Sequence, residues 1–261
     1  MNYPQLQESV LVIDKTPGPS SFDIVRDVKR VARGQKVGHA GSLDPFASGV
    51  LVVLVGRATK LSNALLNADK SYRAVMKLGE ATDTMDRTGS VIQTEPVASF
   101  TDAQIAETLK SFEGVWNQIP PMYSAKKIQG VRLYELARKN INVQRLPIPV
   151  HLYRVELVEW NPPYVTFEVE CSKGTYIRSL ADEIGRKLGT VAHLVELRRL
   201  SCGNFLLKES LSVTELAQDP SRYLKEGYRN YVKLLRAEGL VRQAPNVSRA
   251  ASGTCLPNGP H

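Results

Sequence analysis

A glycine-rich segment at residues 36–49 carries the side chains best suited to chemistry. It contains one carboxylate, Asp44, and one imidazole, His39, with glycines on both sides. Glycines allow a ligand to approach the main chain, and Pro45 biases Asp44 towards extended backbone. A carboxylate held on irregular backbone suits a nucleophile or a base. The alternative is that the Asp-Pro pair begins an ordinary turn and His39 satisfies a buried group. The residue types alone leave both interpretations open.

Arg178 is a second candidate, because it lies close to the predicted start of a helix. A cation at that end opposes the helix dipole, which is more easily understood if Arg178 meets a carboxylate. A guanidinium fork would give that carboxylate paired hydrogen bonds and keep it ionised. Tyr72 and Tyr176 are candidates for stacking on a nucleic-acid base. The alternatives are a solvated arginine and two core aromatic residues.

The elements that must position these residues are short strands interspersed with helices. Alternating or continuous apolar runs predict strands at 10–13, 50–55, 72–78, 152–160, 164–171 and 191–205. Helical spacing predicts helices at 22–31 (capped by Ser21), 58–67, 101–112 (capped by Thr101), 131–139, 177–188 and 228–238. The order lacks regular βαβ spacing and contains no phosphate-binding glycine motif. We therefore predict an α+β fold with a mixed, largely antiparallel sheet and flanking helices.

The composition favours a partner that carries negative charge. The 261 residues include 34 Lys and Arg against 26 Asp and Glu, a formal net charge of +8. Nucleic acid is the leading class of partner, although mild basicity alone is also common in soluble proteins. The three cysteines include no CxxC pair, so no zinc site, disulfide framework or other metal site is expected. With no signal-like start and no apolar run of membrane length, we expect a cytoplasmic protein without membrane contact.

The segment 38–51, Gly-His-Ala-Gly-Ser-Leu-Asp-Pro-Phe-Ala-Ser-Gly-Val-Leu, resembles the nucleophile motif of the TruB family of tRNA pseudouridine synthases. Further stretches resemble other blocks of that family, in the family's order. They are 56–60, 69–73, 78–84, 119–125, 133–138, 171–178 and 197–200. The resemblance extends over about residues 9–207, and so many ordered blocks exclude chance.

The resemblance implies isomerisation of the T-loop uridine of tRNA, conventionally position 55, to pseudouridine, without cofactor or metal. Asp44 would be the nucleophile, adding to C6 of the uracil or capturing C1′ of the sugar, and both routes require an ionised carboxylate. Arg178 would pair with Asp44. Tyr72 would stack on the flipped base and handle the proton lost from C5. The remaining substrate-binding residues implied by the resemblance are His39, Tyr176 and Leu197.

A stacked base must be flipped out before it can react, at a cost of a few kcal/mol that contacts with the RNA offset. The excursion at about 119–143 corresponds to the family's RNA-gripping insertion and would hold the T-arm. Basic residues in or beside the blocks are candidate phosphate contacts: Lys36, Lys60, Arg73, Lys126, Lys127, Arg132, Lys173, Arg198 and Arg199. Two alternatives are an RNA chaperone that only binds, and a synthase that acts on another RNA or within a guide-RNA complex. We take a monomer as the default.

The chain departs from the family pattern at both ends. Thr16 stands where the first proline of the N-terminal block is usual, and Pro17 still rigidifies that turn. We expect a catalytic domain at 1–210 and an extension at 211–261 that is too short and polar for the family's full PUA domain. In that extension a short helix would precede a loosely ordered tail from residue 244. Tight contact with the acceptor stem therefore has no predicted counterpart here.

Overall fold

The computed structural model describes residues 8–124, 126–128, 130–139, 141 and 143–240. The predicted loose tail lies outside these residues. The strands are β1 (Ser9–Lys15), β2 (Val37–His39), β3 (Ser48–Val55), β4 (Lys70–Leu78), β5 (Glu80–Thr82), β6 (Val91–Thr94), β7 (Gly114–Gln118), β8 (Lys127–Ile128), β9 (Val131–Arg132), β10 (Ile148–Asn161), β11 (Tyr164–Cys171), β12 (Ala192–Cys202) and β13 (Phe205–Leu206).

The helices are α1 (Ser21–Val31), α2 (Ser62–Leu66), α3 (Asp102–Lys110), α4 (Leu133–Ala137), α5 (Ile177–Lys187), α6 (Val213–Gln218) and α7 (Pro220–Ala237). Two short 3₁₀ helices occupy Gly56–Leu61 and Leu207–Glu209. Among the described residues, no helix combines the length and the apolar character needed to cross a membrane.

One nine-stranded sheet forms the centre, in the order β1-β3-β12-β4-β11-β10-β7, with β2 paired to β3 and β13 paired to β12. The β12–β3 pair is parallel, and the other pairs of this sheet are antiparallel. The predicted α+β class with a mixed, largely antiparallel sheet is therefore confirmed. Strand β12 enters between β3 and β4, which precede it by more than a hundred residues, so it joins distant parts of the chain.

The continuous apolar run of β3 has a direct explanation in the layering. Every residue of β3 is buried because both faces of the sheet are covered there. Leu51, Val53 and Val55 point into a core shared with α1 and α5, whereas Val50 and Val52 point into a second core shared with α7. A strand covered on both faces has no reason to alternate with polar residues.

Most predicted elements are confirmed, including the Thr101 cap of α3, and three details were wrong. Ser20, not Ser21, caps α1, in a reciprocal capping box with Asp23. The predicted helix at 131–139 is shorter, because its first two residues pair with β8 as strand β9. Helix α7 begins at Pro220 rather than 228, since Gly227 does not interrupt it but allows close packing of the helix on β1.

Candidate active site

A cleft of about 830 Å³ opens where the loop before β3, strands β4 and β12, and the start of α5 meet. Five of the six predicted site residues line it: Asp44, Tyr72, Tyr176, Arg178 and Leu197. They come from four separate parts of the sequence, so the cleft exists only in the folded sheet. Its volume falls within the range of about 300–1,000 Å³ that is usual for small-molecule and cofactor pockets.

The loop that carries Asp44 is held through its backbone on both sides of the carboxylate. The Ser21 hydroxyl donates to the Leu43 carbonyl at 3.0 Å and accepts from the Leu43 N–H at 2.8 Å. The Lys15 Nζ donates to the Pro45 carbonyl at 3.1 Å and to the Ala47 carbonyl at 2.7 Å. Ser21, expected as a helix cap, thus serves the loop instead. These bonds satisfy backbone groups that irregular chain would leave unpaired.

Asp44 and a second carboxylate share one guanidinium. The Nε of Arg178 lies 3.0 Å from Asp44 Oδ2, and its Nη1 lies 3.4 Å from Asp86 Oδ2. Arg178 also donates to the Thr84 carbonyl at 3.1 Å and the Tyr123 carbonyl at 2.9 Å. The expected Asp44–Arg178 pair is present, at the second residue of α5. The cation that opposes the helix dipole is therefore held by two acids and two carbonyls.

Asp86 was missed by the sequence reasoning. Its Oδ1 accepts from the Thr84 hydroxyl at 2.9 Å and from the Thr88 hydroxyl at 2.5 Å and backbone N–H at 2.9 Å. In the sequence these residues looked like a polar turn between strands, and such turns are common. No local signal in the sequence could have found it, because Asp86 meets Arg178 only in the folded chain.

The groups around Asp44 shift its pKa in opposite directions. The surrounding protein partly desolvates the Asp44 carboxylate, which raises its pKa; the Arg178 guanidinium lowers it, Asp86 raises it and Lys15 lowers it. The net direction is upward, and the Arg178 guanidinium is the largest of the influences that favour the ionised form. Arg178 offsets only part of the desolvation that burial imposes.

The aromatic and apolar residues of the cleft surround the space above Asp44. Tyr72 lies on β4, and burial raises the pKa of its phenol to about 12. Tyr176 immediately precedes α5, where its backbone N–H donates to the Gln118 side chain at 2.8 Å. Leu197 lies on β12 opposite Ala74. A neutral phenol, a second ring and an aliphatic side chain together suit a planar, weakly polar ligand.

His39 is the predicted site residue that the structure leaves outside the cleft wall. It ends β2 opposite Val53 and is partly buried, with a pKa lowered by burial and by Arg199. Its Nδ1 is buried and has no hydrogen-bond partner in the described part of the chain. Its role in binding substrate stays a prediction.

Arg199 does not face solvent as a phosphate contact would. The whole residue is 1% exposed, and its side chain donates to the carbonyls of Gly41, Ser42 and Val50. An arginine on an exposed strand face could reach a phosphate, but the Arg199 side chain is enclosed by these backbone carbonyls. Its predicted role as a phosphate contact was therefore wrong.

The insertion reaches the cleft through α4. Tyr134 and Arg138 contribute to the cleft wall, and the Arg138 guanidinium lies 5.5 Å from the centre of the Tyr134 ring. Within the described ranges, no three His, Cys, Asp or Glu side chains are grouped so that they could hold a metal ion.

Comparison with known proteins places this site in a family. A family model described as TruB family pseudouridylate synthase (N terminal domain) matches residues 29–177. The chain belongs to the TruB family. A second model, described as tRNA pseudouridylate synthase B C-terminal domain, matches residues 178–234. The predicted domain boundary at residue 210 lies inside that second match. Pseudouridine synthases are isomerases, so this TruB-family chain is an enzyme of that class.

Curated relatives agree with this assignment to the TruB family. A protein of Clostridium tetani named tRNA pseudouridine synthase B is 45% identical over 210 residues, which cover 80% of this chain and 73% of that protein. One of Protochlamydia amoebophila with the same name is 47% identical, over 82% of this chain and 81% of its own length. The match to the same-named protein of Actinobacillus pleuropneumoniae is 40% identical and covers 94% of this chain and 79% of that protein.

Solved structures show the same fold. A chain in the crystal structure of a Cbf5-Nop10-Gar1 complex superposes with a TM-score of 0.68 at 30% identity, covering 88% of this chain and 63% of that one. A chain in the crystal structure of the archaeal box H/ACA sRNP Nop10-Cbf5 complex gives a TM-score of 0.63 at 29% identity, over 88% and 62%. The TruB-family chain therefore spans less than two thirds of these structural neighbours.

Proposed function

We propose that this TruB-family enzyme converts the T-loop uridine of tRNA, position 55, to pseudouridine, with Asp44 as the nucleophile. The isomerisation breaks the bond between N1 and C1′, joins C5 to C1′, and replaces the C5 proton by one on N1. Asp44 attacks in its carboxylate form. Tyr72 stacks on the uracil and takes part in removing the proton from C5.

The observation that carries the proposal is the unequal exposure of the two carboxylates on Arg178. The Asp44 side chain is 37% exposed, whereas that of Asp86 is 5% exposed. Both touch the same guanidinium, but Asp44 is the one open to a ligand. A nucleophile must reach its substrate, and a buried partner that orients the cation need not. This difference supports Asp44 as the nucleophile and Asp86 as the residue that holds the cation.

The shape of the cleft supports an extruded base as the ligand. Its lining places two rings and an aliphatic side chain near Asp44, beside charged side chains such as Lys70 and Arg138. A uracil in such a site is desolvated and stacked, which offsets the cost of flipping it out of the RNA. Protonation of the desolvated Asp44 carboxylate would remove the nucleophile, and the Arg178 guanidinium opposes that protonation.

Transfer RNA is the proposed substrate because the curated relatives are named tRNA pseudouridine synthase B. The net charge of +8 favours a polyanion. The insertion brings Tyr134 and Arg138 to the cleft, which supports a role for it in gripping the T-arm beside the reacting nucleotide. Recognition would be of loop shape and extruded bases, as is usual for RNA.

The test is to incubate the enzyme with an unmodified tRNA transcript and with an isolated T-arm hairpin, and to map pseudouridine at nucleotide resolution. We expect modification at the T-loop uridine in both RNAs and none after the Asp44→Asn change. The matched control is Asp27→Asn, a carboxylate on α1 that pairs with the exposed Arg30. This control should react at the wild-type rate.

Each outcome has a definite meaning. An unmodified T-loop after treatment with wild-type enzyme would refute the proposed reaction. Full activity of Asp44→Asn would refute the nucleophile assignment while leaving the reaction intact. Modification at other uridines, or in other RNAs instead, would point to a different substrate for the same chemistry.

A further inference from the structure

Arg199 is the largest fully buried side chain of the described residues, at 1% exposure. No Asp or Glu within the described chain forms an ion pair with it, although its neighbour Arg198 pairs with Asp14. A buried cation without a counter-charge is costly unless hydrogen bonds satisfy it. A hydrophobic side chain of similar volume would avoid that cost, so the retained charge requires a reason.

The hydrogen bonds of Arg199 converge on the loop that holds Asp44. Its Nη2 donates to the Gly41 carbonyl at 3.2 Å and its Nη1 to the Ser42 carbonyl at 3.4 Å, before the nucleophile. Its Nε donates to the Val50 carbonyl at 2.6 Å, after the loop has joined β3. One planar fork therefore ties the two ends of the loop to the same point of β12.

The backbone of Arg199 fixes the same loop. Gly49 pairs with Arg199 in the parallel β3–β12 ladder and has a φ of +98°. A Cβ at Gly49 would overlap the Arg199 carbonyl oxygen. The loop thus approaches β12 as closely as glycine permits, and both the side chain and the main chain of Arg199 form the contact surface.

Arg199 also faces the other reacting group of the cleft. It is the cross-strand partner of Tyr72 in the antiparallel β12–β4 ladder. Its guanidinium interacts with the Tyr72 hydroxyl and opposes the effect of burial on the pKa of that phenol. Arg199 therefore contacts both the Asp44 loop and the Tyr72 side chain.

We propose that Arg199 is a positioning residue that locks the Asp44 loop and the Tyr72 hydroxyl into one geometry for the reaction. The proposal rests on the proposed function, in which these two groups act on the same uridine. A carboxylate on a loop and a hydroxyl on a strand need a common anchor, because a displacement of about 1 Å can cost about a hundredfold in rate. Arg199, which lines the cleft, is that anchor through its contacts with both groups.

The test compares Arg199→Met, which keeps volume, with Arg199→Lys, which keeps charge but not the fork. Under single-turnover conditions on tRNA we expect Arg199→Met to slow isomerisation about 100-fold, while the tRNA dissociation constant changes less than about threefold. Arg199→Lys should recover about tenfold of the loss. The exposed Arg30→Met, on α1, is the control and should match wild type.

Two further readouts separate positioning from general destabilisation. With uridine deuterated at C5, the isotope effect on the Arg199→Met rate should exceed that of wild type, because a displaced Tyr72 makes removal of that hydrogen slower. Hydrogen exchange of residues 40–50 should accelerate in Arg199→Met and not in Arg30→Met, whether or not tRNA is the substrate. If wild-type enzyme is inactive on tRNA but exchange still accelerates in Arg199→Met, only the proposed function is refuted.

The inference is overturned by any of three results. These are an Arg199→Met rate within about threefold of wild type, a loss of tRNA affinity that accounts for the whole loss of rate, or unchanged exchange at residues 40–50. The inference is also overturned if Arg199→Lys and Arg199→Met lose the same fraction of the rate and their melting temperatures fall equally. That pattern indicates a purely structural role.

Discussion

Replacing Arg178 by Met tests the shared-cation arrangement most directly. The change leaves Asp86, whose side chain is 5% exposed, without its ion-pair partner. Breaking a buried ion pair by removing one partner typically costs about 3–5 kcal/mol, because a charge stays buried and unpaired. We therefore expect urea unfolding to show a loss of stability of about 3–5 kcal/mol in Arg178→Met.

The same change affects the reaction through Asp44. Hydrogen bonds to charged groups contribute about 1.5–3 kcal/mol, which corresponds to roughly 10–150-fold in rate. Arg178 lowers the pKa of Asp44, so its removal raises that pKa further above the ordinary value. Activity requires the ionised form and rises as pH passes this pKa. The acid limb of the single-turnover rate should therefore move to higher pH in Arg178→Met.

A second substitution makes this prediction refutable. In Arg178→Met/Asp86→Asn no buried carboxylate is left unpaired at position 86, so stability should largely return while activity does not. The control is Arg30→Met on α1, an exposed arginine paired with the partly exposed Asp27, and its loss should leave stability nearly unchanged. A double variant no more stable than Arg178→Met, or an unmoved acid limb, would refute the reasoning.

Three further predictions follow from the loop and the charge. Burial lowers the pKa of Lys15 from 10.5 to about 8, so the unfolded state binds more protons between these values and stability rises with pH there. Lys15→Met should abolish that rise, seen by urea unfolding at pH values across this window. Gly49→Ala should lower the melting temperature far more than Gly18→Ala, because both have positive φ but only Gly49 abuts Arg199. The tRNA association constant should fall steeply and log-linearly with salt in filter binding, and a flat response would contradict a phosphate-dominated interface.

The sequence predicts the fold well where periodicity reflects burial. The apolar run of β3 and the capping box of α3 are local signals, and the structure confirms both. The first part of α7 was not predicted, and it includes Gly227, whose close packing on β1 is visible only in the folded chain. Such close approach between elements depends on tertiary contacts, which no local pattern contains.

The residues of the site also fall into those that the sequence predicts and those that it does not. Asp44 and Arg178 were identified through family blocks and an unfavourable helix dipole, and the structure brings them within 3.0 Å. Asp86 looked like a turn residue and Arg199 like a phosphate contact, because a single charged residue does not reveal whether it points into the sheet. Only the register of β12 with its neighbours shows that Arg199 faces inward.

The late insertion of β12 has a consequence for the newly made chain. A ribosome-bound chain that has emerged only to residue 190 already contains Asp44, Tyr72 and Arg178, but not the strand that lies between β3 and β4. Until β12 is synthesised, the two strands expose unpaired edges, and the Asp44 loop lacks its contacts with Arg199. Activity should therefore appear abruptly during translation. Chains stalled before β12 should bind chaperones through these edges.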